Sequence, residues 1–125
     1  MDVSKLRFTK THEWVHLDGD IATVGITDYA VQQLTDLVFV ELPAIGKTVA
    51  RGEILGTVES VKAAGDVYAP ISGQITQINS GVVADPGLLS AEPFGKGWLV
   101  KLRITDLNQA HDLISHADYV ASTSV

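Results

Sequence analysis

The chain has 125 residues, a formal net charge of −6 and no cysteine. This length suits one domain with its own core, and the missing thiols exclude disulfides and cysteine nucleophiles. The acidic balance argues against nucleic acid and anionic membrane surfaces as partners, because both reward lysine and arginine. We therefore expect protein or small-molecule partners.

The beginning of the chain has no pattern typical of a targeting segment. The first ten residues contain neither the apolar core of a secretory signal nor the arginine-rich pattern of a transit peptide. No apolar run in the chain approaches the roughly 18–20 residues of a membrane span. The sequence predicts a cytoplasmic protein, or a mitochondrial matrix protein if a transit peptide has been removed.

The first third of the chain predicts a β-meander followed by a short helix. β-prone runs at 6–8, 13–17 and 21–26 are separated by turn-forming glycine and aspartate. Thr27 and Asp28 offer cap oxygens to a helix over 29–34. A further strand at 37–42 is expected to place Val38 on an apolar face.

The second half of the chain predicts more short strands, with two helix starts. Strands at 54–58, 67–71, 74–78 and 98–104 alternate with glycine turns, a spacing typical of a sandwich or small barrel. Asp85 and Pro86 predict the start of a short helix. Asp106 and Gln109 have the form of a capping box and predict a C-terminal helix over 106–119.

The centre of the chain holds an isolated lysine between two predicted strands. Lys62 is the only lysine or arginine from residue 52 to residue 95. The strands at 54–58 and 67–71 flank a connection containing Ala63, Ala64 and Gly65, and Gly65 can supply the positive φ of a tight turn. We therefore predict a hairpin with Lys62 near its tip.

The residues around Lys62 leave several roles open for its amine. A Schiff-base nucleophile needs a lowered pKa, whereas small and acidic neighbours favour the charged form. A solvated lysine, an ion-pair partner and a handle for covalent modification all remain compatible with this pattern. His111 and His116 lie five residues apart, which is off the i, i+4 spacing of helical metal ligands, and His12 and His16 stand alone in the predicted meander.

The sequence around Lys62 closely resembles the lipoyl-lysine hairpin of the glycine cleavage H-protein family. The resemblance covers ESVKAAGDV at 59–67 and APISG at 69–73. It continues in family order through THEWV at 11–15, ATVGITD at 22–28, VFVELP at 38–43 and GKGWL at 95–99. Gly65 departs from the family pattern, where serine is common, and this predicts a looser hairpin.

The resemblance implies an all-β fold, a barrel-sandwich hybrid of the lipoyl and biotinyl carrier type with short helices. It implies a single lipoyl-carrier domain over 1–125, with a lipoyl-binding core at 21–104 and the C-terminal helix at 106–119. Trp14 is expected to lie in the core. No catalytic residue and no metal site are implied.

The resemblance also implies a non-catalytic carrier function. Lipoate would be attached to Lys62 as N6-lipoyllysine by a lipoate-attaching enzyme. The arm would take the aminomethyl group of glycine from the pyridoxal-phosphate enzyme glycine decarboxylase to the tetrahydrofolate-dependent aminomethyltransferase, and dihydrolipoamide dehydrogenase would reoxidise it. Thr11, Glu13 and Asp66 match residues that contact the loaded arm in the family.

Two other functions remain as alternatives. A biotin carrier shares the hairpin fold, but its lysine usually lies between two methionines, and Val61 and Ala63 take those places here. An H-like protein that relays lipoyl groups to other complexes, or an unlipoylated scaffold, would have the same fold. Detection of lipoate on Lys62 distinguishes the carriers from the scaffold.

Overall fold

The computed structural model describes residues 2–123 and is dominated by short strands. The strands are β1 (Arg7–Phe8), β2 (Glu13–Asp18), β3 (Ile21–Ile26), β4 (Leu37–Glu41), β5 (Thr48–Val49), β6 (Ile54–Ser60), β7 (Ala64–Tyr68), β8 (Gly73–Ile78), β9 (Val100–Ile104) and β10 (Ile114–Ser115). The α-helices are α1 (Asp28–Leu34), α2 (Ser80–Ala84), α3 (Gly87–Ala91) and α4 (His116–Thr123). Two 3₁₀ helices cover Val3–Lys5 and Leu107–Asp112.

The strands form two open antiparallel sheets. The larger sheet has the order β10-β1-β2-β3-β9-β8-β5, and the smaller has the order β4-β6-β7. This arrangement confirms the predicted all-β fold with short helices, and the unclosed sheets are consistent with a barrel-sandwich hybrid. The smaller sheet contains the hairpin formed by β6 and β7, on which Lys62 lies.

The main core lies between the sheets because alternate residues of their strands face one another. Val24 of β3, Val58 of β6, Val67 of β7 and Leu102 of β9 are all buried in it. Their branched side chains suit the pleated surface of a strand. The two strands of the central hairpin, β6 and β7, are therefore packed against this core.

A second apolar cluster lies on the other face of the larger sheet. It consists of Leu6, Phe8, Trp14 and Tyr119, all of them buried. Trp14 is therefore a core residue, as predicted, and its indole Nε1 donates a hydrogen bond to the carbonyl of Pro93 at 2.8 Å. Tyr119 belongs to α4, so this cluster joins the two ends of the chain.

The prediction that Val38 lies on a buried face is wrong. The register between β4 and β6 shifts between Leu37 and Phe39, which leaves one extra residue on β4. Such a bulge redirects the side chains of the bulged strand. Val38 is consequently 56% exposed, whereas Val40 is buried.

The prediction of one C-terminal helix over 106–119 is also wrong. Residues Leu107–Asp112 form a 3₁₀ helix, Ile114–Ser115 form β10, and α4 begins only at His116. The helix breaks because Leu113 is extended and Ile114 pairs with Phe8 of β1. The predicted capping box is absent as well, since Gln109 accepts a hydrogen bond from the amide of Ser72 instead.

Two elements near the middle of the chain differ from the predictions. Helix α2 was not predicted; its N-cap is Asn79, whose side chain accepts a hydrogen bond from the amide of Gly81. Helix α3 starts at Gly87 rather than Pro86, and Asp85 accepts a hydrogen bond from the Gly87 amide. Strand β9 begins at Val100, two residues later than expected.

Candidate functional site

Lys62 lies at the tip of the β6–β7 hairpin, which we call the hairpin tip (residues 61–63). Ser60 closes this tip: its amide donates to the carbonyl of Ala63 at 2.7 Å, and its hydroxyl accepts from the amide of Ala63 at 3.0 Å. The Val61 amide donates to the carbonyl of Asp36, just before β4. The backbone of the hairpin tip is therefore held on two sides.

The prediction that Gly65 forms the turn is wrong. Gly65 lies within β7 opposite Val58, and Ala64 pairs with Glu59. Among residues 2–123, the glycines with positive φ are Gly19, Gly46 and Gly52. Side-chain bonding by Ser60, rather than the freedom of a glycine, thus shapes the turn.

The side chain of Lys62 is free to meet another molecule. Lys62 is exposed, and both of its neighbours in the hairpin tip are exposed too. Within the part of the chain that the structure describes, its amine makes no hydrogen bond and no ion pair. An enzyme can therefore reach the amine without unfolding any of the protein.

Three of the predicted site residues line one cleft beside the hairpin. Thr11, Glu13 and Asp66 share a cleft of about 340 Å³ with apolar groups of Leu34 and Val67. Lys62 is not part of its lining. The structure thus brings the predicted contact residues together and leaves the lysine outside, at the end of one of the strands that form the cleft.

Glu13 is a buried carboxylate at the bottom of this cleft. Its Oε1 accepts hydrogen bonds from the hydroxyls of Thr9, at 2.7 Å, and Thr11. The Tyr68 amide lies 3.4 Å from Oε2. Burial raises the pKa of Glu13 above its usual range, although these three hydrogen bonds act in the opposite direction.

Glu13 also borders a second cleft, of about 370 Å³, on the side of Tyr68 and Pro70. Thr9 and Thr11 line this second cleft as well. Thr11 and Glu13 therefore border both clefts, whereas Thr9 borders only the second. Sequence reasoning missed Thr9 and Tyr68, because no local spacing shows that they bond to Glu13.

Three consecutive residues around the start of β2 line the first cleft. His12 has a φ of 72°, in the left-handed region, and it ends the turn that connects β1 with β2. Thr11, His12 and Glu13 all line this cleft. We call residues 11–13 the His12 turn.

Other kinds of site find no support in the described residues. Across residues 2–123, no three histidine, aspartate or glutamate side chains are grouped closely enough to hold a metal ion. In the same range no helix is long and apolar enough to cross a membrane. Lys62 and the cleft beside it are the candidate functional site in this part of the chain.

The chain matches known proteins along nearly its whole length. The family model for the glycine cleavage H-protein matches residues 6–124. The chain is 52% identical to the glycine cleavage system H protein of Clavibacter sepedonicus over 120 residues, which is 96% of this chain and 95% of that protein. It is 50% identical to the one from Parvibaculum lavamentivorans over 117 residues, or 94% of each chain.

A solved structure supports the same assignment. The crystal structure of a glycine cleavage system H protein from Mycobacterium marinum superposes with a TM-score of 0.90. The two chains are 38% identical, and the match covers 98% of each. The chain therefore belongs to the glycine cleavage H-protein family, the lipoyl carrier component of the glycine cleavage system.

Proposed function

We propose that Lys62 carries the lipoyl group through an amide bond and that the protein is a non-catalytic carrier. The proposal rests on one observation: an exposed, unpaired amine stands at a backbone-fixed hairpin tip beside a cleft that combines apolar groups with carboxylates. Amide formation removes the charge of the lysine and leaves a long flexible arm. That arm keeps its cargo at high effective concentration near the cleft.

The residues of the cleft fit such an arm. Leu34 and Val67 offer apolar contact to the hydrocarbon of the arm, whereas Glu13 and Asp66 offer carboxylates at the same surface. The lipoyl group, when bound, supplies the sulfur chemistry that accepts the aminomethyl group of glycine. The protein itself holds the cargo and limits its contact with water.

We propose that Glu13, Asp66 and Thr11 hold the amine of the aminomethyl group. This amine is cationic near neutral pH, and a hydrogen bond to a charged group contributes on the order of 1.5–3 kcal/mol. Burial favours the protonated form of Glu13 in the empty cleft. An arriving cation favours the ionised form of Glu13 and so acts against the effect of burial on its pKa.

We do not assign a catalytic role to Glu13, because its partners are two threonines and a backbone amide rather than a nucleophile and its base. The chemistry belongs to the partners that we propose: glycine decarboxylase, aminomethyltransferase and dihydrolipoamide dehydrogenase, with a lipoate-attaching enzyme acting first. We propose a cytoplasmic location.

Intact-mass measurement and peptide mapping of protein from lipoate-supplied cells test this proposal. We expect one lipoyl group per chain, on Lys62, and none in Lys62→Arg, which retains the charge. Lys96→Arg is the matched control, because Lys96 is also exposed but lies outside the hairpin, and it should be lipoylated like the parent. A lipoyl group mapped to another lysine would overturn the assignment.

A further inference from the structure

The C-terminal helix α4 reaches the cleft region through Tyr119. The hydroxyl of Tyr119 lies 2.8 Å from Nδ1 of His12 and 2.8 Å from Oγ1 of Thr27. Its ring is buried and stacks on Phe8 with ring centroids 4.5 Å apart. One side chain near the end of the protein therefore contacts the residue just before β2 and the residue just after β3.

His12 depends on such support because its backbone is strained. A residue other than glycine stays in the left-handed region only where its surroundings fix it. Its amide donates to the carbonyl of Thr9, and its carbonyl accepts from the amide of Thr27. Its ring contacts Tyr29, with centroids 4.5 Å apart, and among residues 2–123 Tyr119 is the only hydrogen-bond partner of that ring.

The conformation of His12 determines which side chains reach the cleft. His12 lies in the turn between β1 and β2, and its left-handed conformation sets the path of the chain from Thr11, whose hydroxyl donates to the Glu13 carboxylate, to Glu13 itself; both residues line the cleft. If His12 left this conformation, the turn would follow another path and the Thr11 hydroxyl would shift relative to Glu13. Tyr119 lies outside the lining of this cleft, so any effect of its hydroxyl must pass through His12 and Thr27.

We propose that Tyr119 is a positioning residue of the carrier site: by bonding both His12 and Thr27, its hydroxyl holds the His12 turn in the conformation that presents Thr11 and Glu13 to the arm. The C-terminal helix is then part of the site rather than a cover for the sheet. This inference rests on the proposed function, because it takes the cleft to be the place where the loaded arm binds.

Tyr119→Phe tests the proposal, because it keeps the stacked ring and removes only the hydroxyl. In the unlipoylated protein we expect the Thr27 amide, which bonds to the His12 carbonyl, to exchange its hydrogen about two- to tenfold faster, the range that one hydrogen bond implies. The ¹⁵N shift of His12 Nδ1 should also change. The Leu99 amide, bonded to the carbonyl of Val24, is the internal reference and should be unaffected.

The second measurement uses the lipoylated and loaded protein. Tyr119→Phe should release formaldehyde and ammonia from its cargo about two- to tenfold faster than the parent, while the extent of lipoylation at Lys62 is the same. Ser122→Ala is the matched control. It removes a hydroxyl that donates to the Tyr119 carbonyl within α4 and leaves the phenol bonds intact.

The outcomes separate the two proposals. Parent-like exchange at Thr27 and parent-like release in Tyr119→Phe would overturn the positioning role, and so would an equal effect of Ser122→Ala. A parent protein that receives no lipoyl group on Lys62 would overturn the proposed function instead. Even then, the exchange rates and the imidazole shift decide whether Tyr119 fixes the His12 turn.

Discussion

The hairpin tip and the His12 turn are two turns of the same protein with opposite construction. Ser60 and Asp36 hold the backbone of the hairpin tip, and its side chains project into solvent. Residues from α1, β3 and α4 surround the His12 turn, and its carboxylate, Glu13, is buried. The proposed attachment site, Lys62, must be accessible to the enzyme that modifies it. The cleft that receives the arm binds it better if it is already in its final conformation.

The largest effect that we expect is the loss of stability caused by adding a methyl group to a tightly packed glycine. In Gly25→Ala the new Cβ would lie 2.5 Å from the indole of Trp14, next to Glu13, and that ring is buried and bonded to Pro93. Overpacking of this kind costs about 1–3 kcal/mol. Chemical denaturation should show that loss of stability.

Gly65→Ala is the matched control in the hairpin. Its Cβ would meet Leu34 at 3.6 Å and the carbonyl oxygen of Val58 at 4.0 Å, both ordinary contact distances, and its φ is not positive. We expect a change within about 0.5 kcal/mol, as for most surface substitutions. Equal losses in both variants would show that the packing around Gly25 and the packing around Gly65 do not differ as described.

The hairpin tip should respond to loss of its one closing side chain. Ser60→Ala removes the hydroxyl that bonds to both the amide and the carbonyl of Ala63. We expect a loss of about 1 kcal/mol in the free energy of unfolding, the net value of a typical hydrogen bond, and faster amide exchange at Ala63. Ser90→Ala, at an exposed helical position, should cost nothing, and an equal loss there would contradict this role.

The sequence predicts the hairpin tip better than the His12 turn because the first is local. The short sequence motif around Lys62 lies between two β-prone runs, so spacing alone indicates a hairpin. It does not show that Ser60 rather than Gly65 closes the turn, because glycine occurs in both turns and strands. The bond between His12 and Tyr119 joins positions 107 apart, and no local pattern predicts it.

The same reasoning explains the errors at Val38 and in the C-terminal helix. The apolar alternation of 37–42 fits a straight strand, whereas the bulge depends on how β4 pairs with β6. The spacing of Leu107 and Ala110 fits a helix, whereas pairing of Ile114 with Phe8 ends it. In both regions, contacts between distant segments overrule a correct local pattern.

The smallest effect that we expect is the change in stability on replacing Glu13, and this change depends on pH. Because burial raises its pKa in the folded state, the folded protein binds a proton more readily than the unfolded chain. This contribution to stability is complete below the pKa of the unfolded chain and is lost as the pH rises through the raised pKa. Glu13→Gln should therefore gain stability relative to the parent as the pH rises above about 4.3, the usual pKa of a glutamate, whereas a constant difference in the free energy of unfolding would contradict the raised pKa.

The most direct test of this account concerns whether the carboxylates of the cleft protect the cargo on Lys62. The measurement is the rate at which isolated, loaded protein releases formaldehyde and ammonia, compared between the parent and the double variant Glu13→Gln/Asp66→Asn. We predict equal lipoylation and about tenfold faster release, which corresponds to the low end of a charge-assisted hydrogen bond. Release at the parent rate from a folded, fully lipoylated double variant would contradict the account.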